Sequence, residues 1–144
     1  MKGFAMERLI SLLKEKNTHL EQFYAVNEHE LLNFADGDFE NVENFYQVRE
    51  RILEVIRTVD RLIDEENRRS TSPITEDIRT EVEACLQIKD EWVAAILQQD
   101  LRVISYIEQE KSKIIRELSS TREAKRAVRA YANTERLKVL EDKP

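Results

Sequence analysis

The chain has 144 residues, a formal net charge of −6, 41% hydrophobic and 36% charged residues, two Gly, two Pro and one Cys. A chain of this size folds as one domain burying about 70% of its extended surface. Sandwiches and barrels need a turn signal about every 8–12 residues, and repeated βα crossovers also need turn residues at each junction; four Gly and Pro in total do not supply them, so an all-α fold of few, long helices is expected.

The first helix is expected over about residues 5–35, with Leu9, Leu13, Leu20, Tyr24, Leu31 and Phe34 on one face. Asp36-Gly37-Asp38 breaks the pattern: Gly37 suits the left-handed position that ends a helix, and Asp38 is a candidate cap for the next. The second helix is expected from Phe39 to about Asn67, with Val42, Phe45, Ile52, Ile56, Val59 and Ile63 inward. A second break is Arg68-Arg69-Ser70-Thr71-Ser72-Pro73, after which Ser72 or Thr75 caps a third helix whose first turn carries Glu76 and Asp77. That helix is expected from about Ile74 to Gln98, along Ile78, Val82, Cys85, Trp92 and Ile96. A fourth is expected from near Asp100, along Ile104, Ile107, Ile114, Ile115 and Leu118.

Sliding the chain by 62 positions lays Phe34-Ala35 on Ile96-Leu97, Asp38 on Asp100, Val42 on Ile104 and Phe45 on Ile107. This reads as two helical hairpins with equivalent breaks at Asp38 and Asp100. Two one-sided hairpins bury their apolar faces together, so the expected architecture is an antiparallel bundle of four long helices with a loosely docked C-terminal helical segment. The expected organisation is a single domain over 1–144: hairpin one about 5–67, linker 68–75, hairpin two about 76–118 and a mobile segment 119–144.

Little in the sequence carries chemistry. A di-iron bundle site requires two Glu-x-x-His pairs, but Lys16 and Val26 stand three residues before the only histidines, His19 and His29. Cys85, on an apolar stripe without a second thiol, reads as a buried structural cysteine. There is no Gly-rich phosphate loop and no nucleophile elbow. No enzyme activity, metal or cofactor is expected, nor a small-molecule substrate. The longest apolar run, Trp92 to Leu97, is far short of the ~20 residues of a membrane span. Glu7, Lys14 and Glu15 interrupt the start where a signal peptide would be apolar. With one cysteine, a cytoplasmic location is the expectation, and the acidic balance argues against nucleic acid as the main partner.

Charge and apolar width say more. From Glu15 to Val48 there are eight acids against Lys16 alone; from Lys111 to Arg129 there are seven bases against Glu117 and Glu123. Internal complementarity, with a fourth helix beside the acidic hairpin, accounts for this, and a basic arm offered to an acidic partner is the functional alternative. Val48, Val55 and Leu62 run one heptad apart beside the main stripe of the second helix, and Leu86, Val93 and Leu97 flank that of the third. This width exceeds the ~100° arc a surface helix needs. Central helices with two neighbours explain most of it; a groove for a partner's amphipathic helix is the alternative. After Leu118, Ser119-Ser120-Thr121 is expected to weaken the helix. Beyond it Ala124, Ala127, Val128 and Tyr131 form a thin stripe among Arg122, Lys125, Arg126 and Arg129, too small to dock firmly except through Tyr131.

The stretch Asp100-Leu101-Arg102-Val103 through Ser112-Lys113-Ile114-Ile115-Arg116-Glu117-Leu118, the Ser119-Ser120 pair, the Lys125-Arg126-Ala127-Val128-Arg129-Ala130-Tyr131 run and the Asp36-Gly37-Asp38-Phe39 turn together resemble the flagellar export chaperones of the FliT class and the related FlgN. The resemblance is most specific over about residues 100–132. It implies a cytoplasmic, non-enzymatic chaperone that binds an aggregation-prone filament-cap or hook-filament junction protein and delivers it to the export-gate and ATPase components of the type III apparatus. It implies an export-gate docking role for Tyr131, around which Val128, Arg126 and Arg129 complete the docking group. The cargo surface, chosen from apolar width alone, is Val48, Val55, Leu62, Val93 and Leu97. Ala132-Asn133 stands where the family has Gly, and Leu137 and Leu140 keep an apolar rhythm to the end. Two alternatives stand beside this reading: a bundle protein that forms a homodimer through the same apolar shoulder, and a regulator that binds a transcription factor.

Overall fold

A computed structural model describes residues 2–69 and 73–141, with side chains described for 6–69 and 73–136. The described chain is all-helical: α1 spans Lys2–Ala35, α2 Val42–Arg69 and α3 Glu76–Glu141. It divides into two compact units, Met1–Ile104 and Ser105–Pro144.

In the first unit the helices alternate in direction. Arg8 pairs with Glu66 and Lys16 with Asp60, so α1 and α2 are antiparallel. Asn17 donates to the carbonyl of Cys85 and Asn27 to the side chain of Gln99, so α3 runs parallel to α1. Two apolar layers hold the three helices. One joins Met6, Leu9, Ile10 and Leu13 to Cys85, with Ile63, Ile78 and Val82 against them. The other joins Leu20, Phe23, Ile56 and Ile96, flanked by Tyr24, Ile52, Leu53 and Trp92. Cys85 is thus a core side chain, as its stripe position predicts.

The α1–α2 reversal follows from local chemistry. Gly37 has φ of 78°, a conformation that costs an L residue about 1–2 kcal/mol. The Asp38 amide donates to the Asn33 carbonyl at 2.9 Å and the Gly37 amide to that of Phe34 at 3.0 Å, the crossed pair that closes a helix C-terminus. Phe39 then stacks on Phe34 at 4.7 Å, and Phe45 meets the same ring edge-on at 5.9 Å. A Cβ at Gly37 would meet nothing within 4 Å, so Gly37→Ala carries only the backbone cost. Its expected destabilisation is about 1 kcal/mol, read by urea unfolding.

Asp38 accepts as its candidate role suggests, but in a turn ahead of the helix. Its carboxylate accepts from the Glu40 amide at 3.1 Å within the turn, and α2 begins at Val42, later than Phe39. At the next junction Thr75 Oγ1 accepts from the Ile78 amide at 3.3 Å and caps α3, with Glu76 and Asp77 in the first turn. Ser72, the other candidate cap, lies outside the described residues, as do Ser70 and Thr71 of the linker proposed at 68–75, whose first two residues belong to α2.

The expected fourth helix is part of the third. α3 passes through Asp100 without a break, so the described residues form three helices, and the second of the two breaks that suggested a repeat is absent there. Asp100 is not a cap: its carboxylate accepts from Arg49 at 2.8 Å. An interior Asp costs a helix only a few tenths of a kcal/mol, and no Gly or Pro stands between Pro73 and Pro144 to force a turn. Ser119-Ser120-Thr121 does not interrupt the helix either. Thr121 Oγ1 donates back to the Glu117 carbonyl at 2.8 Å, a bond made inside the helix.

Candidate functional site

Towards the α1–α2 turn the apolar layers give way to a polar one. Asn27 is fully buried and Gln99 only 3% exposed, both at positions where the stripes of α1 and α3 would otherwise place apolar residues. The Gln99 amide donates to the Tyr24 carbonyl at 3.0 Å and to Glu28 at 2.9 Å, and accepts from Asn27 at 3.1 Å. Arg49 of α2 completes the layer. Its guanidinium binds Asp100 and lies 4.9 Å from the Phe23 ring centroid, 5.1 Å from Phe45 and 5.7 Å from Tyr46.

This layer sets register rather than chemistry. A one-turn slip of α3 would separate Gln99 from the Tyr24 carbonyl and Asp100 from Arg49, leaving buried polar groups unpaired. Within it the Asn27 carbonyl oxygen and one Glu30 carboxylate oxygen are buried with no hydrogen-bond partner. Asn27, Arg49 and Gln99 are polar residues sitting in phase with apolar stripes, and that phase is the signal by which they could be found from sequence.

Among the described residues no three His, Cys, Asp or Glu side chains are grouped to hold a metal ion. No helix of the described residues is long and apolar enough to cross a membrane. A cavity of about 310 Å3 is lined by Met6, Leu9, Asn67, Ile74, Arg79, Val82 and Glu83, a mixed set without a nucleophile or a positioned base.

The candidate cargo residues divide. Val48 and Leu62 are half-buried, whereas Val55, Val93 and Leu97 are exposed, Leu97 by 59%. None of the five belongs to either apolar layer. Leu101 and Ile104, also on α3, are exposed as well.

In the second unit every side chain from Lys111 to Arg136 is exposed. Ile114, Ile115 and Leu118, expected inward on a fourth helix, are exposed, and so are Ala124, Ala127, Val128 and Tyr131 of the thin stripe beyond, Tyr131 by 69%. Val128 and Tyr131, three residues apart, share one side of the helix. Arg126 lies about 160° from Val128 at 100° per residue, so the docking group is spread around the helix and not gathered on one face. Leu137 and Leu140 lie outside the described side chains.

Comparison with protein-family models, curated proteins and solved structures finds no match. The described residues form an all-helical protein with a buried polar layer in its first unit and exposed apolar side chains on its last helix.

Proposed function

We propose that this chain is a non-enzymatic, cytoplasmic protein-binding adaptor. By its resemblance to the FliT and FlgN chaperones, it escorts a flagellar filament-cap or hook-filament junction protein to the type III export apparatus. The observation that supports protein binding is the set of large apolar side chains left in solvent on α3 in each unit: Leu97, Leu101 and Ile104 in the first, and Ile114, Ile115, Leu118, Val128 and Tyr131 in the second. Scattered apolar residues are ordinary on a surface; a succession of them on one helix marks an interaction site. The flagellar assignment rests on the sequence resemblance alone.

On this reading Val55, Val93 and Leu97, with the half-buried Val48 and Leu62 beside them, receive an apolar face of the cargo. Tyr131 with Val128, Arg126 and Arg129 meets the export gate. Tyr131 joins a large apolar ring to a hydroxyl, the combination enriched at binding hot spots. Tyr131→Ala is expected to weaken binding to purified export-gate protein at least tenfold, about 1.4 kcal/mol, while cargo binding stays within twofold. Calorimetry of the two complexes measures both. Unchanged gate affinity removes the role of Tyr131, and failure of the wild-type chain to bind either protein overturns the assignment.

A further inference from the structure

We propose that the cavity where α1 and α3 begin and α2 ends binds a free aliphatic amino acid, its side chain on the apolar lining and its two charged groups on Arg79 and Glu83. The cavity lies wholly within the first unit, and the proposal does not depend on the adaptor reading.

Size and lining set the tail of the ligand. The volume is about 310 Å3, at the lower end of the range of about 300–1,000 Å3 for small-molecule sites. A single amino acid fits that space; a peptide or a lipid chain does not. Met6 and Leu9, both buried, form the α1 wall, and the half-buried Val82 of α3 and the exposed Ile74 just ahead of it complete the apolar lining. No aromatic ring lines the cavity, so a branched aliphatic side chain is the matching guest, to which the flexible thioether of Met6 adapts.

The polar lining sets the head. Arg79 and Glu83 stand one turn apart on α3, and among the described residues neither side chain is engaged in an ion pair or a hydrogen bond. Glu66, beside the lining residue Asn67, is by contrast already held by Arg8 at 2.9 Å and by Arg69 at 3.9 Å. A guanidinium donates two parallel bonds to a carboxylate, and the Glu83 carboxylate accepts from an ammonium. A plain carboxylic acid would bring its charge beside Glu83, and a plain amine would bring its charge beside Arg79. Only a ligand carrying both signs escapes a repulsive contact. The Asn67 amide can serve either group, since it both donates and accepts.

An NMR titration of the full chain with L-leucine tests this, with 4-methylpentanoate (leucine without its amino group) and 3-methylbutylamine (leucine without its carboxylate) as comparison ligands. L-leucine is expected to bind with a dissociation constant of about 1 mM or below, moving the Met6 and Val82 methyl signals, and each comparison ligand about tenfold more weakly. Arg79→Ala and Glu83→Gln, both at exposed positions, are expected to keep the helical circular dichroism and each to weaken leucine about tenfold. Glu83→Gln is also expected to bring 4-methylpentanoate within about threefold of leucine, because its carboxylate no longer meets a like charge. Methyl signals unmoved by leucine at about 10 mM overturn the proposal. So does equal affinity for the three ligands, or leucine binding that both substitutions leave unchanged.

Discussion

Phe23→Ala is expected to lower the unfolding free energy by about 3–5 kcal/mol, the largest effect of any single truncation considered for this chain. Phe23 is 3% exposed and packs with Leu20, Ile56 and Ile96, so one side chain ties α1 to both other helices. Its ring also faces the Arg49 guanidinium at 4.9 Å, so the truncation removes a cation–π contact as well as opening a cavity. Domains of this size are stable by about 5–15 kcal/mol in all. The variant is therefore expected to unfold at a much lower urea concentration, followed by helical circular dichroism. Phe23→Leu, which keeps most of the volume, is expected to lose less than half as much. A loss below about 1 kcal/mol for the alanine variant would mean that this layer does not hold the helices together.

Arg49→Ala is expected to cost about 2–3 kcal/mol, and a cycle with Asp100→Ala should show a coupling of at least about 1 kcal/mol. The pair is only partly sheltered, with side chains 15% and 32% exposed, which keeps the expectation below that for a fully buried ion pair. Three aromatic rings around the guanidinium add contact that alanine cannot replace. Arg49→Lys is expected to recover little, because an ammonium does not stack between rings as a planar guanidinium does. Additive effects in the cycle would show that Arg49 acts through the rings alone and that Asp100 does not hold α3 in register.

The single helix α3 changes how the C-terminal third is understood. A thin stripe after Ser119-Ser120-Thr121 implied a segment that docks weakly and comes loose. From Lys111 to Arg136 every described side chain is exposed, those of Ile114, Ile115, Leu118, Val128 and Tyr131 included. Any partner that covers them acts on side chains that a continuous helix already displays. This favours recognition without a large ordering cost.

Residue by residue, the helical class, the stripes of α1 and α2, the turn at Gly37 and the cap at Thr75 were legible in the sequence. Each depends on neighbours within about one turn, where spacing and φ preference decide the outcome. Whether Asp100 ends a helix or sits within one is not a local matter. Its intrinsic preference is weak, and the Arg49 guanidinium that holds it comes from a residue 51 positions away. The pairing of Asn27 with Gln99 is of the same kind, since a polar residue in phase with an apolar stripe declares its burial but not its partner. The sequence by itself determined where helices form and which faces are apolar, because those follow from periodicity. Only the tertiary structure decided that there are three helices, how they register and which apolar faces stay in water, because those depend on contacts between residues far apart in the chain.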